Sequence, residues 1–323
     1  MSAINFDTKN AIVNMASFLY SLQIVEGEME EMTTEVKGII LAILSAVLYG
    51  SLPIIGLHIT ATGLSIEAML FFRFMLSFIL LACLFPSSVF SINKTMLVQF
   101  FFAILGYVVS SFLYFKSTEY IDTGLAMTVF FIYPMILALI NYVILKETLP
   151  LSQKLGMLFA FIALLFLTDF KFHYKGDMFF GFMLGIVGGA GYAVYVFLTR
   201  ATGLKAITLT AWVCLGAALF FAVQSLATNT LSAPPLTVVW YMIALPIICT
   251  VLPIIFFIEA VNLIGTIKTS LISILEPATT LAFGMIFLAE QITWIQSIGL
   301  VFMVISLFVM EGVDLLKNKR VET

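Results

Sequence analysis

The sequence predicts an all-α membrane protein of ten transmembrane helices in two inverted five-helix repeats. Three observations carry this reading. Of 323 residues, 62% are hydrophobic and 10% charged, and the mean hydropathy is +1.14, which excludes a soluble globular fold. The apolar residues gather into stretches of about 20, the length a helix needs to cross a hydrocarbon core of about 30 Å with its backbone satisfied internally. Sliding the chain against itself by 143 residues, without a gap, lays Pro134 on Pro277, Glu147 on Glu290, Gln153 on Gln296 and Gly156 on Gly299. The same shift pairs Gly38 with Gly181, Leu41 with Leu184, Tyr49 with Tyr192, Phe78 with Phe221 and Thr123 with Thr266. Total identity is modest; the weight rests on Pro, Gly and polar matches kept in one order.

The ten spans run from Lys37 to Leu57, Glu67 to Phe85, Met96 to Phe115, Thr123 to Leu145, Leu155 to Thr168, Met178 to Thr199, Ile207 to Thr228, Thr237 to Ile258, Ile267 to Ala289, and Thr293 to Val313. Short connections such as Pro86-Ser87-Ser88, His173-Tyr174-Lys175-Gly176-Asp177 and Ala233-Pro234-Pro235 separate them and leave no room for a soluble catalytic domain. Five spans per half is an odd number, so the second repeat, residues 178–313, enters from the opposite side to the first, residues 35–168. Such inverted repeats, almost wholly within the bilayer, point to moving or binding a solute there.

Charge sets the orientation. Lys9, Lys37, Lys94, Lys146, Lys154, Arg200, Lys205, Lys268, Lys317, Lys319 and Arg320 fall on one face, and only Lys116, Lys171 and Lys175 on the other, with Arg73 left inside a span. The excess predicts cytoplasmic termini, including a tail over 314–323, in a cell's inner membrane. The net charge of −3 says little about partners, and nothing points to nucleic acid.

Residues 1–34 form an arm of different character, with Ile12, Val13, Phe18, Leu19 and Leu22 followed by Glu26, Glu28, Glu30 and Glu31. No basic segment leads a compact apolar core, which argues against a cleaved signal peptide. A surface-lying helix, a disordered arm, and a start at Met29 or Met32 all remain open. Cys83, Cys214 and Cys249 fall in spans without metal or disulfide spacing and are expected in the core.

The second half carries Leu275-Glu276-Pro277, then Leu288-Ala289-Glu290 and Gln296-x-x-Gly299; the first carries Tyr133-Pro134, Leu145-Lys146-Glu147 and Gln153-x-x-Gly156. With Phe72-Arg73-Phe74 in the second span, this order resembles EamA-type members of the drug/metabolite transporter superfamily, from Lys37 to about Gly312. The resemblance implies that the two repeats surround a central cavity and work by alternating access.

Glu276 is the most informative residue, because a charge near the middle of a span costs about 2.5–3.5 kcal/mol on insertion scales and must face protein or water. Pro277 loosens the hydrogen-bond ladder beside it. Withdrawal from water penalises a carboxylate's charge, so such a group could exchange a proton or bind a substrate amine. The alternative is a hydrogen-bonded residue that joins helices. Arg73 suits a substrate carboxylate, or else its stem reaches toward the interface. Pro134, Pro277, Glu147 and Glu290 are read as architecture, the two acids capping the next helix or bridging neighbours. Lys116 and Glu119 close the third span where Glu259 and Asn262 close the eighth, a candidate gate at each mouth or ordinary span ends.

Small residues recur at Gly38, Ala42, Ala46 and Gly50, and again at Gly181, Gly185, Gly189 and Ala193. Such stripes let helix backbones approach closely, either as tight packing or as hinge surfaces. Tyr49, Tyr107, Tyr114, Tyr133, Tyr192 and Trp212 lie inside spans, where a buried polar tip needs a partner, and are the preferred cavity residues.

No Gly-Lys-Ser/Thr phosphate loop is present. Two histidines, His58 and His173, cannot furnish the metal or phosphate clusters of a membrane enzyme acting on lipid or prenyl substrates. A channel or partner subunit lacks a run of pore-lining charge. The expectation is therefore a secondary transporter of a small organic metabolite, such as an amino acid or related zwitterion, by exchange or proton coupling. It needs no cofactor or metal, its partners are the substrate, the lipid bilayer and protons, and a monomer suffices although a dimer is compatible.

Overall fold

A computed structural model describes residues 33–90, 97–121, 123–169, 176–202, 205–289 and 291–321; most of the N-terminal arm, and Glu290, lie outside these. Among the described residues ten apolar helices follow one another: α1 Thr34–Thr60, α2 Ile66–Leu84, α3 Leu97–Ser117, α4 Leu125–Leu145, α5 Leu151–Leu167, α6 Met178–Thr202, α7 Ala206–Ala227, α8 Leu236–Ile264, α9 Thr266–Leu288 and α10 Trp294–Val321. All but α5 and the apolar part of α10 reach ordinary membrane-spanning length. Each expected span falls in one of these helices, although α1, α8 and α10 run on further.

Helix starts are marked in the sequence. Ser65 accepts the Ala68 amide at 3.1 Å and Asp177 the Phe180 amide at 3.1 Å, satisfying N–H groups that the first turn leaves unpaired. Thr293 and Gln296 form a reciprocal cap: the Thr293 hydroxyl accepts the Gln296 amide at 3.2 Å, and the Gln296 side chain accepts the Thr293 amide at 3.1 Å. This gives the Gln-x-x-Gly motif of the second repeat a structural role. In the first repeat Pro150 occupies the cap position instead.

Helix ends show the repeat as well. Lys146, with φ 58°, and Ala289, with φ 53°, are repeat mates that close α4 and α9 in the left-handed region. Their amides turn back to the carbonyls of Asn141 and Gly284, themselves mates. The chain reversal therefore sits immediately before Glu147 and Glu290.

Four spans are broken. α1 bends at Ser51, α4 at Phe131 and Ile132, α8 through a wide π-turn Ile247–Val251, and α9 at Ser273 and Ile274. Pro53, Pro134, Pro246 with Pro253, and Pro277 accompany these breaks, each lacking the N–H that an unbroken ladder requires.

The repeats interlock. α1 packs along α8 and its mate α6 along α3; α2 packs on α7 and α5 on α10; α9 rests on α1 as α4 rests on α6. Small residues permit these approaches. A Cβ on Gly106 would lie 2.8 Å from the Gly191 carbonyl oxygen, and one on Gly191 3.0 Å from that of Gly106, so α3 and α6 touch backbone to backbone. One on Gly299 would lie 3.0 Å from the Ala163 carbonyl oxygen, while Ser306 donates to the Gly156 carbonyl at 2.8 Å, tying α5 to α10. Of the two stripes, Gly50 abuts Thr279 and Thr280 of α9, and Gly185 and Gly189 abut Val129 and Phe130 of α4. Both stripes are sites of close packing.

Replacing Gly106 by Leu is expected to destabilise the protein by about 1–3 kcal/mol or block folding, because no side chain fits between the two backbones. Gly56→Ala, whose nearest neighbour is the flexible end of Met69 at 3.8 Å, is expected to leave thermal unfolding of the purified protein unchanged.

Candidate functional site

A cavity of about 600 Å³ occupies the middle of the bundle, within the range of about 300–1,000 Å³ usual for small-molecule sites. Its lining runs from Tyr107, Tyr133, Tyr192 and Glu276 near mid-span to Leu57, Thr60, Ile66, Thr118, Leu167, Leu288 and Gln296. The latter group lies at the span ends opposite Thr34 and Val321, and that is where the cavity opens.

The broken helices shape it. Pro53, Phe130, Phe131, Ser273 and Pro277 all lie on the wall, so the cavity is built where backbone ladders are interrupted. Glu276 stands in the first turn of the second part of α9. Thr279 donates to the carbonyls of Glu276, at 2.8 Å, and Ala46, at 3.2 Å, and Thr280 donates to that of Gly50 at 3.0 Å. These bonds hold the turn against α1. Among the described residues the Glu276 carboxylate makes no hydrogen bond or ion pair, and it faces the cavity. A carboxyl group near mid-membrane is thus left for a solute, a proton or water.

Tyr49, Tyr107, Tyr114, Tyr133 and Tyr192 all line the cavity. The rings of Tyr107, Tyr114, Tyr133 and Tyr192 join through Phe130 in one aromatic wall, with Tyr133 and Tyr192 edge to face at 4.8 Å between centroids, Phe130 5.5 Å from Tyr192, and Phe257 6.2 Å from it. Tyr133 donates to the Ser270 carbonyl at 3.4 Å, fixing its ring against α9. Tyr49 and Tyr192 are repeat mates, and so are Tyr133 and Glu276. The wall therefore straddles the internal two-fold axis.

Arg73 also lines the cavity but is 3% exposed. Its Nε donates to the Thr250 hydroxyl at 2.7 Å and its Nη2 to the Cys249 carbonyl at 2.6 Å, while its guanidinium carbon sits 4.9 Å from the Phe74 ring centre. Both oxygens belong to the π-turn of α8, and Ser77 on the next turn of α2 donates to the Pro246 carbonyl at 3.4 Å. Arg73 is thus the clamp that holds α8's widened turn to α2, with one edge of its planar fork already used.

The other end of the bundle is closed. The Asn141 amide donates to the Thr266 hydroxyl at 3.2 Å, joining the last turn of α4 to the first of α9, and Lys268 pairs with Glu35 at 2.6 Å. A second pocket of about 540 Å³ lies there, lined by Asn141, Glu147, Gln153, Arg200, Val261 and Asn262 among others. Shifted by 143 residues, Gln153, Arg200 and Val261 fall on Gln296, Leu57 and Thr118 of the open mouth. The pocket is the repeat counterpart of that mouth, with α4 and α9 drawn together across it.

The EamA-like transporter family matches residues 36–169 and again 179–311. This chain belongs to the EamA-like transporter family. Each match covers one five-helix repeat, and the protein is a multi-pass integral membrane protein rather than an enzyme. A solved crystal structure is similar in fold, with a TM-score of 0.74 at 14% identity, covering 86% of this chain and 98% of the other. No curated protein matches the chain.

Several expected positions in the transporter need correction. Trp212 does not reach the cavity: its ring N–H donates to the Val89 carbonyl at 2.8 Å and it packs on Phe100, at the end of the bundle away from the mouth. Lys116 and Glu119 pair with each other at 2.6 Å on the surface, 38% and 53% exposed, because the turn that follows α3 folds Glu119 back over Lys116, its amide donating to the Lys116 carbonyl at 3.2 Å. They and Glu259 stay off the walls of both pockets, and Asn262 lines the second one. Of the two roles expected for Glu147 the structure shows the bridge and not the cap: it lies 3.9 Å from Arg200 of α6, both about half exposed, while its mate Glu290 is outside the described residues. Cys214 and Cys249 are buried, but Cys83 is exposed. Sequence reading missed Thr250, Ser273 and the Asn141–Thr266 bond. An amide alone in the apolar run Ile136–Leu145 was the available signal for Asn141, whereas Thr250 looks like any small polar residue in a span.

Arg73→Met removes both donors to the π-turn and leaves the Cys249 carbonyl unpaired. The expected cost is about 2–3 kcal/mol of stability, seen as a lowered thermal midpoint of the purified protein. Arg73→Lys is expected to recover only part, since one ammonium group cannot reproduce a planar fork that bonds two oxygens.

Proposed function

We propose that this chain is a secondary transporter that carries a small organic metabolite, an amino acid or related zwitterion, by alternating access. The observation that carries the reading is the pair of pockets: one runs from Glu276 to one end of the bundle, and the other is a separate cleft at repeat-equivalent positions of the opposite end, where the Asn141–Thr266 bond joins α4 to α9. Exchanging the roles of the two halves converts one arrangement into the other, with α4 and α9 separating at Asn141 and Thr266 and meeting at the present mouth. The Lys/Arg excess favours cytoplasmic termini, and with that orientation the cavity here faces outward. Glu276 exchanges its burden between a proton and the cationic group of the solute, which would couple the two. The ten helices of one chain enclose the whole cavity, so a monomer suffices.

The test uses purified protein in proteoliposomes and a solute first selected for stabilising the wild type against heat. Cysteines at Asn141 and Thr266, in a Cys83→Ser background, would be joined by a short bifunctional thiol reagent. Cross-linking is expected to abolish solute uptake, and a cleavable reagent to restore it on reduction; uptake at the uncross-linked rate would refute alternating access through this end. Glu276→Gln is expected to lower proton-driven uptake at least tenfold while keeping the fold, read as an unchanged elution profile.

A further inference from the structure

Because a two-fold axis relates the halves, each position of the second conformation is set by its mate in the first. At the end where α4 and α9 meet, Tyr133–Ile140 of α4 packs on Thr266–Ile272 of α9. The mate segments, Leu275–Leu288 of α9 and Thr123–Phe130 of α4, make no comparable contact across the mouth. When those segments come together, each residue takes the surroundings its mate has now, and Glu276 takes those of Tyr133.

Those surroundings are dry. Tyr133 is 1% exposed, packed on the rings of Phe130, Phe131 and Tyr192, and its hydroxyl donates to the Ser270 carbonyl at 3.4 Å across the junction of α4 and α9. Shifted by 143 residues, these partners become Ser273, Ile274, Tyr49 and Met127. No cation is among them. Glu276 would pass from a half-buried place on an open cavity to a nearly sealed one, where the Met127 carbonyl faces the end of its side chain.

A carboxylate and a carbonyl oxygen both only accept hydrogen bonds, so the ionised side chain is repelled there and loses its water as well. A neutral carboxyl instead carries an O–H that can donate to the carbonyl, as the Tyr133 hydroxyl does to Ser270. The acid is the shorter side chain, so this bond requires the segments at the mouth to approach more closely than their mates do. Among the described residues, the other charged or titratable groups on the cavity wall are Tyr49 of α1, Arg73 of α2, Tyr107 and Tyr114 of α3, Tyr133 of α4 and Tyr192 of α6; α5, α8 and α10 add none. The exchange does not carry Arg73 to Glu276, since its mate Gly216 abuts Ile104 of α3 and not Tyr133.

We infer that neutralising Glu276 is the condition for closing the mouth: a proton from the solution at the mouth lets its carboxyl donate to the Met127 carbonyl and seal α9 against α4, while the bare carboxylate holds the mouth open. This rests on the alternating-access reading and adds to it the contact through which the proton acts.

The test follows two distances in the full-length protein in lipid nanodiscs, by pulsed electron paramagnetic resonance of spin labels on a Cys83→Ser background, with buried Cys214 and Cys249 kept. One labelled pair, Glu119→Cys with Phe287→Cys, flanks the mouth beside Thr118 and Leu288. The other, Asn262→Cys with Ile144→Cys, holds the mate positions at the opposite end. From alkaline to acid pH, with no solute added, the ratio of short to long distances across the mouth is expected to rise at least tenfold, and the opposite pair to lengthen. Glu276→Gln, neutral and with an N–H to donate, and Glu276→Tyr, which copies the mate, are expected to hold the short distance at every pH. Should neither variant fold, the wild-type titration decides. A mouth distance that ignores pH, that shortens on the alkaline side, or that keeps its pH response in Glu276→Gln overturns the inference. The opposite pair separates the two readings. Closure of the mouth without lengthening there refutes alternating access and leaves the switch intact; two populations that exchange at both ends in proportions independent of pH support alternating access and refute the switch.

Discussion

Every backbone amide and carbonyl in a hydrocarbon core must find a partner within the protein, because no water is there to serve. The structure follows from how this chain meets that demand where its helices break. Proline removes the donor in α1, α4, α8 and α9, and each break lies where another helix or the cavity can supply what the ladder lost. The clearest case is α8, where the loosened carbonyl of Cys249 receives the Arg73 guanidinium and that of Pro253 receives the Ser45 hydroxyl at 2.8 Å. An arginine that would be costly facing lipid is thus matched to a carbonyl that would be costly unpaired. Each makes the other tolerable, and together they fix α2, α8 and the wall between them.

Interlocking of the halves has the same origin in packing. Association of helices in lipid draws little from the hydrophobic effect, so close backbone contact and hydrogen bonds must provide it. Here the close contacts cross between repeats: Gly106 with Gly191, Gly299 with Ala163, Gly50 with Thr279. A single repeat would leave these surfaces facing lipid without a partner. The five-helix unit is therefore a unit of sequence and not one of independent stability. Its two copies fold around a shared axis, which is why the cavity forms between them and inside neither.

Much of this was legible in the sequence. Span positions followed from apolar length, and the inverted arrangement from an odd span count joined to the overlay of Pro134 on Pro277 and Gly156 on Gly299. Glu276 and the five tyrosines announced themselves as polar groups in an apolar run, and they lie together on the cavity wall. What the sequence concealed is direction. Trp212 satisfies the same criterion as Tyr192, yet its N–H points to the Val89 carbonyl at the far end, since depth along a span does not reveal which face a side chain takes. Lys116 and Glu119 looked like a gate because they end a span, but the turn after α3 lets them neutralise each other outside. The Asn141–Thr266 bond joins residues 125 positions apart, a pairing that only the three-dimensional arrangement of α4 and α9 creates.

The pattern of agreement between the halves carries a final argument. Backbone features are kept at mate positions: left-handed Lys146 and Ala289, prolines 134 and 277, glycines 156 and 299. The charged chemistry of the cavity is not. Glu276 stands opposite Tyr133, and Arg73 opposite Gly216, whose added Cβ would lie 2.3 Å from Ile104. Two conformations can approach equal energy only if the contacts exchanged are alike, and that requirement falls on helix ends, crossings and breaks. A solute bound on the axis needs the opposite, an uneven field that orients it and lets one carboxylate serve both conformations. A two-fold frame with a one-fold charge distribution meets both demands, and it accounts for Glu276 having a tyrosine, and no second acid, as its counterpart.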